Sequence, residues 1–178
     1  MAEAILLVGV FGTRLRPLTN YRPKPMLPIA SLPVTEHQLA MAAKVGIKRI
    51  VLATAYLSDV FTPYFGDGSK WGLEIKYALE KEPLGTAGAI RNAAELLSEG
   101  SEVVILNGDV ISSHNLAAQL EVHRKNNADV TLHLTTVEDA RNTIFKEPQV
   151  YFTYITNVNE ITLKRLATCK QFWIFTCV

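Results

Sequence analysis

Ala4-Ile5-Leu6-Leu7-Val8-Gly9-Val10-Phe11-Gly12-Thr13-Arg14-Leu15-Arg16-Pro17-Leu18-Thr19 opens the chain, with Pro23-Lys24-Pro25-Met26-Leu27-Pro28-Ile29 close behind. The run from Ala4 to Val8 is apolar at every position, as expected for a strand covered on both faces of a parallel sheet. A glycine-bearing loop follows it directly, and two arginines and a lysine follow the glycines. Glycines let the backbone approach a ligand closely and present N–H groups to anionic oxygens. Arg14 offers a planar fork of donors that suits phosphate, and Lys24 offers a compact point charge. The loop is therefore expected to meet anions, foremost the polyphosphate of a nucleotide.

Working outward, strand and helix take turns along the chain. Helical character spans Thr35 to Val45, with Thr35 as the expected N-cap and Gly46 as the stop. Arg49 to Thr54 is a second strand, and Ser58 to Phe65 a short helix closed by Gly66-Asp67-Gly68. Leu73 to Leu79 alternates as a strand, and Thr86 to Leu97 is an Ala/Leu-rich helix. Val103 to Leu106 is a fourth buried strand, Ser113 to Asn126 a helix, and Asp129 to Thr136 a strand of period two. This alternation predicts an α/β fold with a doubly wound, mostly parallel Rossmann-like sheet. Ligands in such sheets bind beyond the carboxyl ends of the strands. The glycine loop after the first strand and Asn107-Gly108-Asp109 after the fourth both fall there. Asp109 leaves a buried strand beside an anion loop, where a carboxylate suits Mg²⁺ shared with substrate phosphates. The plainer alternative is a turn aspartate that caps the next segment.

Composition sets the outer bounds. The 178 residues suffice for one domain with a real core. A hydrophobic content of 48% with 20% charged residues is globular. A net charge of +1 gives no electrostatic case for nucleic acid or for a membrane surface. Cys169 and Cys177 are too few and too near the end for a disulfide scaffold or a metal site. Glu3 ahead of a short apolar run reads as a strand and not a signal peptide, and a cytoplasmic protein is expected. His37, His114, His123 and His133 show no spacing that makes a metal or catalytic pair, and His133 is expected simply to lie on a strand face.

The glycine spacing fits neither of the two commonest phosphate loops. A Walker A loop ends in Gly-Lys-Ser/Thr, and the dinucleotide fingerprint needs three glycines as G-x-G-x-x-G. What stands here resembles the signature of the sugar-1-phosphate nucleotidylyltransferases, G-G-x-G-T-R-L-R-P-L-T followed by P-K-P. Val10 departs from it, standing where the family has its second glycine, and would be strained if that position required positive φ. Glu82-Pro83-Leu84-Gly85-Thr86-Ala87-Gly88-Ala89 reads by itself as a Pro-Gly loop before a helix capped by Thr86. Its wording, with Val34-Thr35-Glu36-His37, is most similar to the mannose-1-phosphate guanylyltransferase branch. The resemblance implies that Gly9, Gly12, Thr13, Arg14, Gly85 and Thr86 bind the nucleotide. It implies Arg14, Lys24 and Asp109 as the catalytic residues, with Asp109 holding Mg²⁺. Arg16 is either a second phosphate contact or a surface charge. The implied substrates are GTP and mannose-1-phosphate, and a homo-oligomer is expected.

The resemblance runs from about Ile5 to Arg141, which sets residues 1–141 as the nucleotide-binding part and 142–178 as an atypical tail. All ten glycines lie at or before Gly108. Seven of the fifteen aromatics fall within 142–178, and the α/β pattern is not visibly continued there. The family's sugar-binding half carries Glu-Lys-Pro and Asn-Ala-Gly segments and a second metal-binding aspartate. Only Lys146-Glu147-Pro148, in another order, and Asn157 or Asn159 approach them. The expectation is a nucleotide-binding half whose sugar-binding part is missing or replaced by an unrelated tail, with impaired catalysis; the alternative is a divergent C-terminal extension. An apolar end at Phe172-Trp173-Ile174-Phe175 invites aggregation if it finds no surface to cover. Two functions stand: nucleotidyl transfer to a sugar-1-phosphate, or a non-catalytic nucleotide-binding module that partners a longer homologue.

Overall fold

The apolar strands assemble as their composition predicts. The structure, a computed structural model, describes residues 1–10, 12–55, 57–134, 151–155 and 173–177. Strand β1 (Ala2–Leu7) is hydrogen-bonded in parallel to β4 (Arg49–Thr54) on one side and to β6 (Glu102–Asn107) on the other. Strand β5 (Glu74–Leu79) extends the sheet beyond β4, also in parallel. A two-residue hairpin, β2 (Pro28–Ile29) with β3 (Leu32–Pro33), lies outside this sheet.

Alternation within each strand assigns the two faces. Ala4, Leu6, Val8, Ile50, Leu52, Val104 and Leu106 point to one side. There they pack on α1 (Val34–Lys44), α2 (Phe61–Phe65) and α4 (Leu116–Lys125) through Leu39, Ala42, Phe61, Phe65, Leu116 and Leu120. Ile5, Val51, Ala53, Val103 and Ile105 point to the other side and meet α3 (Gly85–Ala94) through Ala89 and Ala93. Ile5, Leu6, Leu39, Leu52 and Leu106 are each fully buried, contributing about 1.5–3 kcal/mol apiece by removal from water. Helices on both faces of a mostly parallel sheet make the doubly wound architecture that the sequence predicts.

The far half of the sheet goes beyond that prediction. Its strand order is β5-β4-β1-β6-β9-β7-β8. Strand β7 (Val130–Leu134) runs with the central strands, while β8 (Tyr151–Ile155) and β9 (Trp173–Cys177) run against them. Both antiparallel strands come from the segment 142–178, where the sequence pattern offers none. Strand β9 threads between β6 and β7, with Val104 opposite Phe175 and Leu132 opposite Ile174. The boundary near Arg141 lies outside the described residues, as do Lys146-Glu147-Pro148, Asn157, Asn159 and Cys169.

Two expected caps are placed differently, and a third helix starts later than expected. Helix α1 begins at Val34 without a side-chain cap, and the Thr35 hydroxyl instead donates to the Pro25 carbonyl at 3.0 Å. Helix α3 begins at Gly85, so Thr86 lies inside its first turn and caps nothing. Helix α4 begins only at Leu116, where Asn115 Oδ1 accepts from the Ala118 amide at 3.0 Å. In the first two cases tertiary packing fixes the helix start; in the third a capping asparagine stands nearer the apolar stripe.

Candidate functional site

Strands β1 and β6 are neighbours, so the loops leaving their carboxyl ends meet although they are far apart in sequence. After β1, the chain turns at Gly12 with φ 60°, a left-handed conformation that strains a side-chain-bearing residue. A Cβ there would stand 2.9 Å from Lys24 Cβ and 3.0 Å from Thr19 Cγ2. Thr19, buried, donates its hydroxyl to the Gly12 carbonyl at 2.9 Å and closes the loop on itself. Gly12 thus leaves the space into which the Pro23-Lys24-Pro25 segment folds. Val10 is not among the residues with positive φ, so the strain expected of a β-branched residue does not arise.

After β6, a tight turn runs from Asn107 to Val110, with the Val110 amide donating to the Asn107 carbonyl at 3.3 Å. Gly108 donates to the Leu7 carbonyl at 3.0 Å, and a Cβ on it would collide with the Val8 side chain. The turn aims Asp109 at the other loop, and Lys24 Nζ meets Asp109 Oδ2 at 2.6 Å. Their side chains keep 35% and 21% of their exposure. Ion pairs this open to water contribute about 0–1 kcal/mol to stability. The pair matters more for what it holds ready than for folding.

Beside the pair lies a cleft of about 520 Å³ over the ends of β1, β4 and β5, with α3 as a wall. That volume lies within the range of small-molecule sites, about 300–1,000 Å³. Gly9, Val10, Ala53, Ala55, Glu80, Gly85, Thr86 and Asn107 line it. Small residues give it room: a Cβ on Gly9 would press on Ala55 Cβ at 3.1 Å. Glu80 Oε2 accepts from the Leu84 amide at 3.1 Å and fixes the loop that enters α3. Of the sequence-predicted residues, the fold brings Lys24 and Asp109 into contact and sets Gly9, Gly85 and Thr86 on one cleft. Gly12 shapes the loop between them. Thr13 and Arg14 are exposed in the short turn Thr13–Leu15, with no ion pair to Arg14 among the described residues and neither residue in the cleft lining.

Sequence reasoning missed three participants. Glu80 and Asn107 line the cleft. Gln38 on α1 donates through Nε2 to the Asn107 carbonyl at 3.0 Å and also to the Val110 carbonyl, gripping both ends of the Asp109 turn. Gln38 lies three residues after Thr35, on the helix stripe that also carries Leu39 and Ala42, where its position reads as core. His133 lies on β7. His114 and His133 stack with ring centroids 4.4 Å apart, and burial with the neighbouring His133 pushes the His114 pKa down to about 4. Among the described residues no group of three or more His, Cys, Asp or Glu could hold a metal ion. No helix among them is long and apolar enough to cross a membrane.

A glycine-turned loop, a lysine–aspartate pair and a cleft gather at the carboxyl end of a doubly wound α/β sheet. A family model described as nucleotidyl transferase matches residues 3–145, and the chain belongs to that family. It is 51% identical over 139 residues to a mannose-1-phosphate guanylyltransferase of Mycobacterium tuberculosis, covering 78% of this chain and 38% of that protein. A mannose-1-phosphate guanyltransferase of Yarrowia lipolytica is 40% identical over 139 residues, covering 77% of this chain and 38% of that protein. The chain thus spans 38% of the length of these relatives. Among solved structures, a putative glucose-1-phosphate thymidylyltransferase from Bacillus anthracis superposes with a TM-score of 0.71 at 20% identity, over 99% of this chain and 72% of the other. HddC from Yersinia pseudotuberculosis complexed with GMP-PN gives a TM-score of 0.64 at 25% identity, over 88% and 74%. The resemblance carried by the opening motif is borne out. Nucleotidyltransferases of this family generally use a divalent metal ion.

Proposed function

We propose that this chain is the nucleotide-handling part of an enzyme that transfers a nucleotidyl group from a nucleoside triphosphate to a sugar-1-phosphate. The observation that carries the reading is the Lys24–Asp109 pair, set at adjacent strand ends beside the cleft of Gly9, Gly85 and Thr86. A phosphate oxygen of the sugar-1-phosphate attacks the α-phosphorus in line. The new P–O bond forms as the bond to the β-phosphate breaks, and the electron pair departs with pyrophosphate. Little covalent work falls to the protein, so positioning and charge neutralisation carry the rate. Lys24 would neutralise charge between the α-phosphate and the incoming phosphate. The first N–H groups of a helical turn have no partner within it; those of Gly12 and Thr13, with the Arg14 guanidinium, would take the leaving pyrophosphate.

Asp109 suits a divalent ion shared with phosphate. Its Oδ2 bonds Lys24, while Oδ1 makes no hydrogen bond among the described residues. Mg²⁺ prefers oxygen ligands and is commonly bound by one or two carboxylates together with substrate phosphates. Bound there, Mg²⁺ would offset the charge that builds on the phosphate oxygens.

The 51% identical relative and the Gly85-Thr86-Ala87-Gly88 segment favour GTP and mannose-1-phosphate as the substrates. Glu80 supports guanine on chemical grounds, since a carboxylate at the cleft wall accepts from the adjacent N1–H and N2–H of guanine. Such chemistry belongs in the cytoplasm, where nucleoside triphosphates are available, and a homo-oligomer is expected on size-exclusion with light scattering. A non-catalytic module partnering a longer homologue is the second reading.

A thermal melt with Mg²⁺ and each nucleoside triphosphate tests the binding. Ligand at a hundred times its dissociation constant adds about 2.7 kcal/mol, a rise of roughly 5–10 °C for this size. A rise selective for GTP is expected; no rise with any nucleotide overturns the reading. Pyrophosphate release with mannose-1-phosphate then separates enzyme from module.

A further inference from the structure

Four consecutive residues in the first turn of α1 are each tied to a different part of the molecule. The Thr35 hydroxyl donates to the Pro25 carbonyl at 3.0 Å. The Glu36 carboxylate accepts from the Tyr64 hydroxyl at 2.7 Å and from Trp71 Nε1 at 3.2 Å. His37 Nε2 meets the Ile29 carbonyl at 2.8 Å. Gln38 Nε2 donates to the Asn107 carbonyl at 3.0 Å and to the Val110 carbonyl. Glu36 anchors the turn to the aromatic cluster of Tyr64, Phe65 and Trp71, and the other three reach toward the loops around the site.

Thr35 and Gln38, three residues apart, share one face of the helix. Thr35 grips the peptide next to Lys24. Gln38 grips the two carbonyls that bracket Gly108 and Asp109. One helical turn therefore holds both shoulders of the ion pair. The two N–H groups of a primary amide suit two carbonyl oxygens; reversing the amide would set Oε1 against both, so the amino end is the one that faces them. Gln38 is 3% exposed, and its Oε1 is buried with no hydrogen-bond partner. An apolar side chain of equal length would fill the space without stranding an oxygen. It could not hold the turn, and Gly108 brings no side chain to do so.

We infer that Gln38, backed by Thr35, is the positioning residue that fixes the Asp109 carboxylate against Lys24, and so sets where the phosphates and their metal ion are received. Its consequence for phosphates and metal rests on the proposed nucleotidyl transfer, whereas the clamp itself rests on the hydrogen bonds alone.

Two readouts keep these apart. The first needs no nucleotide: the Lys24 ammonium signal in solution NMR of ¹⁵N-lysine-labelled chain, assigned by its loss in Lys24→Met. Pairing with Asp109 protects that ammonium from exchange, so Asp109→Asn should remove the signal. Gln38→Met should remove it too, while the thermal midpoint moves by only a few degrees. A signal that persists in folded Gln38→Met overturns the clamp. Should Gln38→Met not fold, Thr35→Val and Thr35→Ser decide: the serine variant should keep the signal and the valine variant lose it, and equal behaviour of the two overturns the inference.

The second readout is Mn²⁺ affinity in the presence of GTP, followed by electron paramagnetic resonance. Gln38→Met should weaken it about tenfold with Asp109 present and less than about twofold with Asp109→Asn, because the effect passes through that carboxylate. Equal weakening in both backgrounds would mean a merely structural role and sinks the inference. A wild-type chain that binds no Mn²⁺·GTP defeats the nucleotide reading, and the ammonium signal still decides the clamp.

Discussion

The two ends of the sheet treat charge in opposite ways. At the amino ends of the strands, Glu3, Arg49, Glu74, Glu102 and Arg124 are each held in an ion pair. Glu3, 8% exposed, accepts from Arg49 Nη1 at 3.2 Å, from the Ser98 amide at 2.9 Å and from the Ser98 hydroxyl at 2.8 Å. Arg49 also bonds Glu74 at 2.9 Å, which holds the Glu74 carboxyl below its ordinary pKa. Arg124 forks onto Glu102 at 2.5 to 3.0 Å and lowers the Glu102 pKa in the same way. At the carboxyl ends, Arg14 and Arg16 stand exposed without an ion pair among the described residues, and Lys24 has a single carboxylate partner. The same residue types close the fold at one end and remain available to an anion at the other. Multiply bonded charge belongs to stability; sparsely paired cations suit a ligand.

The largest expected effect breaks the carboxyl end alone. Lys24→Ala or Asp109→Asn should cut nucleotidyl transfer by about a thousandfold or more, with the melting temperature of the free chain within a few degrees of wild type. Pyrophosphate release kinetics measures this, and near-normal turnover in either variant removes the pair from the mechanism. Next in size is Gly108→Val, whose side chain has no room beside Val8 and the Leu7 carbonyl. We expect a loss of about 2–3 kcal/mol in urea unfolding, and a variant as stable as wild type would mean that the turn can move aside.

Glu3→Ala tests the amino end. It strands the Ser98 amide and one side of Arg49, so stability should fall by about 1–3 kcal/mol. Nucleotide affinity should stay within a factor of two, and a large change in affinity would erase the contrast between the ends. The smallest effect is a pH dependence. Burial lowers the His114 pKa from 6.5 to about 4, so the unfolded chain takes up its proton first as pH falls. Stability is therefore complete above pH 6.5 and declines as pH falls through that window towards 4. Discounted for partial exposure, the loss is on the order of 1 kcal/mol, or about 2–4 °C. His114→Phe, which keeps an aromatic ring for His133 to stack upon, should flatten that slope; an unchanged profile assigns the acid sensitivity elsewhere.

Much of the scaffold was legible because its signals are local. Arg49–Thr54 forms a strand over the very span its apolar run predicts, and β1, β5 and β6 are displaced by only one or two residues. Thr35 and Thr86 were misread as caps because a hydroxyl before an apolar stripe looks the same whether it bonds its own helix or a distant carbonyl. The β2–β3 hairpin escaped because its turn uses Ala30 and Ser31 at φ 49° and 70°, residues that give no turn signal of their own. Strands β8 and β9 escaped because antiparallel additions to a sheet depend on pairing partners more than on period. Gln38 was overlooked because a buried amide reads as a core position until its carbonyl partners, 69 and 72 residues away, are known.

By itself the sequence determined the alternation of strand and helix and the family. Each depends on residue type at short spacing, and short-range sterics and hydrophobic period act on every sequence alike. Only the tertiary structure decided that Lys24 meets Asp109, that α1 grips both of their loops, and that β9 runs between β6 and β7. Those outcomes rest on which strands lie side by side, and strand order is settled by long-range burial that no local pattern records.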